Sequence, residues 1–224
     1  MAITPHDIAK MLDHSTLQPF LTEADIRKGC ELALKYDCAS VCARPCDVPI
    51  LAEMLKGSDV KVCTVIGFPH GNSPTAAKAY EAKCVAEAGA AEVDMVINRG
   101  WVKDGLFDAV TDEIAIVKKA CAPALLKVII ECCGLTDEEK IALCKCVTDA
   151  GAEYIKTSTG FDKSGATVQD VALMKSNVGE GVLVKAAGGI RSIADAENFI
   201  HLGATRLGTS SIVKIVKNEQ LGSY

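Results

Sequence analysis

Eight short apolar runs rich in Val and Ile, each followed by a longer amphipathic stretch, constrain this chain more than any single residue does. The runs fall at 12–15, 39–44, 60–66, 92–97, 126–131, 153–158, 182–186 and 205–209. Near-continuous apolar runs, rather than alternating ones, suit parallel strands covered on both faces. Between them the sequence predicts helices over Thr22–Lys35, Pro74–Ala88, Leu106–Cys121, Thr136–Ala150 and Ile193–Leu202. Thr136-Asp137-Glu138-Glu139 has the spacing of a capping box. The tripeptides Ala88-Gly89-Ala90, Ala150-Gly151-Ala152 and Leu202-Gly203-Ala204 put glycine where a helix closes in a left-handed cap before the next strand.

A strand-helix unit repeated eight times in 224 residues points to an α/β fold, a closed (β/α)8 TIM barrel formed as a single domain over residues 1–224. No linker or composition break marks a second domain. The competing architecture, an open doubly wound sheet, calls for Gly-x-Gly-x-x-Gly after its first strand, and the sequence has none there.

In such a barrel the polar residues at the C-terminal strand ends face the active site. Here they are Asp13, Ser15, Cys42, His70, Asp94, Asn98, Lys127, Glu131, Lys156, Thr157, Thr159, Lys185 and Gly208-Thr209-Ser210-Ser211. Lys156 and Lys185 stand out, each where an apolar strand runs into a glycine-rich loop. An ammonium is costly to desolvate, and two on consecutive strands push one of them to give up its proton. A neutral lysine attacks carbonyls and forms a Schiff base, while its charged neighbour lowers its affinity for the proton. Asp94, in Glu92-Val93-Asp94-Met95, also needs a reason to be buried, either moving protons or holding a lysine. Glu92 shares its face, so alternation leaves open which acid meets the substrate and which sits lower with Lys127. His70 reads as a loop histidine fixed by a turn hydrogen bond.

Gly188-Gly189-Ile190-Arg191-Ser192 and Gly208-Thr209-Ser210-Ser211 suggest a phosphate site, because barrels bind phosphate in the loops after strands seven and eight, at a helix N-terminus. The net charge of −5 argues against a nucleic-acid partner and leaves an anionic substrate to a local site. No apolar run approaches the roughly 20 residues that span a bilayer, and the N-terminus lacks the regions of a signal peptide, so a cytoplasmic protein is expected. Eleven cysteines, an odd number with no Cys-x-x-Cys pair, read as small buried hydrophobes in a reducing compartment rather than as disulfides or a zinc site.

Six collinear strings resemble the deoxyribose-phosphate aldolase family: Leu12-Asp13-His14-Ser15-Thr16-Leu17, residues 62–71, Glu92-Val93-Asp94-Met95-Val96-Ile97-Asn98, Lys127-Val128-Ile129-Ile130-Glu131, residues 155–161 and residues 184–191. The resemblance implies a class I aldolase with no metal and no other cofactor. It would reversibly cleave 2-deoxy-D-ribose 5-phosphate to D-glyceraldehyde 3-phosphate and acetaldehyde, within deoxyribonucleotide catabolism. It implies that Lys156 forms the Schiff base and that Lys185 and Asp94 relay protons. Gly160, Gly189, Arg191, Gly208, Thr209, Ser210 and Ser211 match phosphate-pocket positions, and Asp13, Cys42 and Thr159 match positions near the sugar hydroxyls. Small phosphorylated sugars and aldehydes are the expected partners, and barrels of this kind are often homodimers or homotetramers. Three features depart from or extend the pattern. Ser15 replaces the usual threonine of the first motif, and Phe161 stands where some members carry a phosphate-binding lysine. Tyr224 ends a tail that some members use to assist proton transfer at the acetaldehyde carbon. Two rival functions remain, another lysine aldolase with a different donor and a phosphosugar-binding barrel without catalysis.

Overall fold

The structure, a computed structural model, describes residues 3–211. Eight parallel strands close on themselves in chain order: β1 (Leu12–Thr16), β2 (Ser40–Ala43), β3 (Lys61–Ile66), β4 (Glu92–Val96), β5 (Leu125–Ile129), β6 (Tyr154–Lys156), β7 (Leu183–Ala187) and β8 (Ala204–Thr209). The closing pair aligns Asp13 of β1 with Gly208 of β8. The expected (β/α)8 TIM barrel is therefore the fold. The described helices are α1 (Pro5–Ala9), α2 (Glu23–Lys35), α3 (Val48–Met54), α4 (Thr75–Glu87), α5 (Arg99–Lys103), α6 (Phe107–Cys121), α7 (Asp137–Asp149), α8 (Val168–Asn177) and α9 (Ile193–His201). Among the described residues, no helix is long and apolar enough to cross a membrane.

Local signals explain the boundaries. Thr22, Thr136 and Ser192 each cap a helix whose N3 acid bonds back to the cap backbone. Gly89, Gly151 and Gly203 close α4, α7 and α9 at positive φ, as their sequence positions suggest. Two strands stop two residues before the ends of their apolar runs. β5 stops at Ile129 and Glu131 adopts φ 57°, while β6 stops at Lys156, after which Thr157 still donates its amide to the Lys185 carbonyl at 3.1 Å. Both runs end early because their last residues turn to build the mouth of the barrel.

The apolar side chains pack mainly outside the sheet, against the helices. Val41, Val93, Met95, Leu126, Val128, Ile155, Val184 and Leu207 point there and join Ile26, Ile114, Leu143 and Val171 in one core. The inner face carries a different population. Cys42, Cys63 and Val65 form a small apolar cluster, and most of the remaining lumen is ionic.

Candidate active site

Strand alternation delivers the ionic groups. Glu92 and Asp94 are two apart on β4 and face the lumen together, and the register sets Asp94 beside Lys127 and Lys156 beside Lys185. Asp94 is the hub. One carboxylate oxygen, Oδ2, lies 2.7 Å from Lys156 Nζ and 2.7 Å from Lys185 Nζ, and Oδ1 lies 2.8 Å from Lys127 Nζ. A second tier sits beneath it. Lys127 also reaches Glu92 at 2.6 Å, Lys185 bonds Asp13, and Arg206 bridges Asp13 at 2.6 Å to Glu92 at 2.7 Å. Ser40 donates at 2.6 Å to Asp13 Oδ1, the same oxygen that Arg206 binds. Alternation left open which acid meets the substrate. Both acids face inward, with Glu92 in the lower tier beside Lys127 and Arg206, and Asp94 under the lysine pair.

Charge number decides the protonation states. Burial pushes the Asp94 carboxyl up, but Lys127, Lys156 and Lys185 together hold it well below the usual carboxylate range. Burial alone would strip Lys185 of its proton, yet Asp13 and Asp94 reverse this and raise it above the ordinary lysine value. Lys127 is raised in the same way, chiefly by Asp94. Asp94 is thus a resting carboxylate and Lys185 a resting ammonium. The three acids Asp13, Glu92 and Asp94 are balanced by Lys127, Lys185 and Arg206, which leaves Lys156 as the extra cation. Asp94, Cys42 and Cys63 also bring potential metal donors within 4.8 Å of one another. The Lys127 ammonium already lies 3.3 Å from Cys63 Sγ and 2.8 Å from Asp94, so a cation occupies that position.

Above this cage the barrel opens into a cavity of about 240 Å³ lined by Lys156, Thr159, Gly160, Gly189, Arg191, Gly208, Thr209, Ser210 and Ser211, among others. Of the three lysines on Asp94, Lys156 is the one that reaches this cavity, with 3% of its surface exposed against 1% for Lys185 and 0% for Lys127. Gly208 makes room for the arrangement, since a Cβ there would lie 2.9 Å from the Ala187 Cβ and 3.4 Å from Lys185 Cε. Gly165 and Gly188 allow the loops after β6 and β7 to touch backbone to backbone, with Ala166 donating to the Ala187 carbonyl at 2.9 Å. Glu131 anchors the β6 loop by accepting from both the amide and the hydroxyl of Thr159.

Residues 7–210 fit the model of the DeoC/LacD family aldolases. The chain belongs to that family. The aldolase is 54% identical over 219 residues to the deoxyribose-phosphate aldolase of Geobacillus sp. (strain WCH70), covering 97% of this chain and 98% of the relative. It is 53% identical over 214 residues to that of Carboxydothermus hydrogenoformans, covering 94% of each. A solved tetrameric deoxyribose phosphate aldolase from Aeropyrum pernix superposes with a TM-score of 0.88 at 36% identity, over 96% of this chain and 92% of that one.

Several expected site residues sit apart from the mouth. Asp13 and Cys42 are buried beneath the cavity floor, at 0% and 1% exposure, and Asp13 serves as the anchor of Lys185 rather than as part of the cavity wall. At the helix N-terminus after β7, where an anion site is expected, the capping carboxylate engages two amides. The amides of Arg191 and Ser192 both donate to the Asp195 carboxylate at 3.0 Å, and Ser211 gives its amide to Thr209 Oγ1 at 3.0 Å. His70 is exposed, and among the described residues its ring makes no hydrogen bond, so the expected turn bond is absent there. Tyr224 and the helix expected beyond Ser211 lie outside the described residues. Sequence reasoning missed Arg206, although it shares the inward face of β8 with Gly208 and could have been found by alternation.

Proposed function

We propose that this aldolase reversibly cleaves 2-deoxy-D-ribose 5-phosphate to acetaldehyde and D-glyceraldehyde 3-phosphate, with Lys156 as the Schiff-base nucleophile. The observation that carries the reading is the position of Lys156, at the floor of the mouth cavity and 2.7 Å from a carboxylate shared with the cationic Lys185.

The neutral amine of Lys156 adds to C1 of the open-chain sugar, and loss of water from the carbinolamine leaves a protonated imine. Lys185, held as an ammonium by Asp13 and Asp94, is suited to give the departing hydroxyl its proton. The imine then accepts an electron pair. Products of two and three carbons fix the broken bond as C2–C3, so the C3 hydroxyl loses its proton as that bond opens. Asp94, which lies 2.7 Å from both Lys156 and Lys185, is assigned as the acceptor of that proton, directly or through water. Protonation of the enamine at C2 and hydrolysis release acetaldehyde and restore Lys156. Imine formation itself supplies the electron sink, so the reaction calls for neither metal nor cofactor.

The phosphate end is assigned to the rim, where Arg191, Ser210, Ser211 and the glycine backbone at 160, 189 and 208 line the cavity. Arg191 supplies the fixed positive charge, and Thr159 faces the sugar. Tyr224 is assigned a contribution to proton transfer at the acetaldehyde carbon. A homo-oligomer, dimer or tetramer, is part of the reading, in line with the tetrameric relative. So is a reducing, cytoplasmic compartment, in line with cysteines that are all free thiols.

Borohydride reduction in the presence of acetaldehyde, followed by peptide mass mapping, tests the proposal. A single two-carbon adduct on Lys156 is expected. Adducts confined to other lysines would overturn the assignment of the nucleophile, and the absence of any adduct would overturn the imine mechanism.

A further inference from the structure

Among the polar residues at the strand ends, Glu131 has no part in the reaction just described. It is buried, and among the described residues it forms no ion pair, in contrast to the acids of the lumen. Its backbone is left-handed, at φ 57° and ψ 68°, a conformation that a residue with a Cβ adopts only at a cost. A buried acid without a counter-cation and a strained backbone at the same position are two costs that packing does not explain.

The bonds around it lead to the cavity. On either side of Glu131, the Ile130 amide donates to the Lys156 carbonyl at 3.0 Å and the Cys132 amide to the Thr157 carbonyl at 2.8 Å, which fastens the turn to the end of β6. Glu131 Oε2 accepts from the Thr159 amide at 3.1 Å and from the Thr159 hydroxyl. The Phe161 amide in turn donates to Thr159 Oγ1 at 3.0 Å. Thr159 lines the same cavity as Lys156. Oε2 acts as an acceptor, since it takes the amide, and one lone pair of Oγ1 is used by Phe161. The hydroxyl proton therefore goes to Glu131, and what Oγ1 has left for the cavity is a lone pair.

We propose that Glu131 is a positioning residue that takes the hydroxyl proton of Thr159 and so fixes that hydroxyl as a hydrogen-bond acceptor toward the substrate. The inference rests on the reading that Lys156 is the nucleophile and Thr159 faces the sugar. The C3 hydroxyl of the pentose is engaged in proton transfer above Asp94, and the phosphate lies at the rim. The hydroxyl between them, on C4, is the one that donates to Thr159; in the synthetic direction it is the C2 hydroxyl of D-glyceraldehyde 3-phosphate. A Thr159 free to turn its proton inward would serve a carbonyl or a water equally well. Held by Glu131, it selects a group that donates.

The test compares kcat/KM for addition of acetaldehyde to D-glyceraldehyde 3-phosphate and to 3-phosphooxypropanal, which differ only in the C2 hydroxyl. The wild-type enzyme favours the hydroxylated acceptor by about tenfold or more. Glu131→Asn suits the left-handed backbone but is one methylene too short to hold the Thr159 hydroxyl, and it reduces the preference to about twofold or less. Glu131→Met, which keeps the length and removes the acceptor, does the same. Thr159→Val falls to that level too, and adding Glu131→Asn to it changes the ratio no further, because Glu131 acts through the hydroxyl. A residue that merely held the loop in place would slow both acceptors alike. An unchanged ratio in a folded Glu131→Asn or Glu131→Met variant therefore overturns the proposal, as does a further fall in the double variant or a wild type indifferent to the hydroxyl. Borohydride trapping with acetaldehyde separates the two readings: an adduct on Lys156 with an unmoved ratio sinks the role of Glu131 alone, whereas no adduct sinks the imine mechanism and that role with it.

Discussion

Two buried lysines on opposite sides of the same sheet have opposite electrostatics. Lys78, on α4 between the barrel and α6, is fully buried and faces one carboxylate, Glu113, at 2.8 Å, with the Val96 carbonyl at 2.9 Å. Burial wins there, and its affinity for the proton falls below the ordinary value despite Glu113. Lys127, equally buried in the lumen, faces Glu92, Asp94 and, at 3.7 Å, Asp13, and it is raised well above that value. Neither is exposed to solvent, and the number of opposing charges sets the sign. An interior can keep several cations charged if it supplies enough anions, and a lysine in excess of those anions is the one without a carboxylate of its own. Lys156, which reaches Asp94 and opens to the cavity, holds that position.

Lys156→Ala gives the largest expected effect. It removes the extra cation and leaves the balanced cage intact, so turnover falls by about 10⁴-fold or more while the unfolding midpoint hardly moves. Steady-state cleavage assays and urea titration of the same preparation check both halves. A variant that kept more than about 1% of its turnover would break the link between charge surplus and nucleophile.

Lys127→Met comes next. It leaves Glu92 and Asp94 short of a counter-charge inside the lumen, which costs about 3–5 kcal/mol of stability. Because Asp94 would then be less firmly held as a carboxylate, turnover falls too. Urea unfolding and cleavage rates measured together check this, and a stability loss below about 1 kcal/mol would show that the lumen does not depend on charge balance.

Much of this contrast could be read from the sequence. The apolar runs located all eight strands, and the run at 12–15 is the strand that closes the barrel against β8. Lys156, Lys185 and Asp94 stood out because an ionisable residue inside a Val-rich strand has no local explanation. What could not be read was who pairs with whom. Asp94 meets Lys156 and Lys185 across 62 and 91 residues, and Asp13 meets Lys185 across 172, contacts that exist only once the sheet has closed. The resemblance implies a place for Asp13 near the sugar hydroxyls, and closure sets its carboxylate against Lys185 Nζ. At the anion site expected after β7, Asp195 is three residues past Ser192, and this capping box engages the Ser192 amide, a pairing that the glycine-and-arginine motif does not announce by itself. Helices α1, α3 and α5 escaped because they are short, at five, seven and five residues, and α8, ten residues behind the Thr167 cap, escaped with them.

The helix-facing side supplies a smaller effect that depends on pH. His14 lies on β1, 5% exposed, with its Nδ1 unpartnered, and burial lowers its pKa to about 4 from 6.5. Below 6.5 the unfolded chain takes up a proton that the folded chain refuses until about pH 4, so stability is lost as pH falls through that window. The loss is about 1 kcal/mol at pH 5.5 and approaches about 3 kcal/mol near pH 4. Urea midpoints measured from pH 7 to 4.5 should slope in wild type and flatten in His14→Gln. Equal slopes would mean that the carboxylates, not this histidine, govern acid sensitivity.

The smallest effect sharpens the opening contrast most. Because Lys78 and Glu113 form a single ion pair, with only the Val96 carbonyl and the Thr75 hydroxyl as further partners, their desolvation cost and mutual attraction nearly offset, and Lys78→Met with Glu113→Leu should change stability by less than about 1 kcal/mol in either direction. Either single substitution strands a buried charge and should cost about 3–5 kcal/mol, so the coupling energy from the double-mutant cycle is large although the net effect is small. In the lumen the same logic fails, because Lys127 serves several acids at once and no single partner can be removed with it. A Lys127→Met, Glu92→Leu double variant should therefore remain destabilised, since Asp94 and Arg206 each lose a neighbour that nothing replaces. If that double variant recovered wild-type stability, the lumen would be a set of separate pairs like Lys78–Glu113, and the surplus-charge account of Lys156 would fall with it.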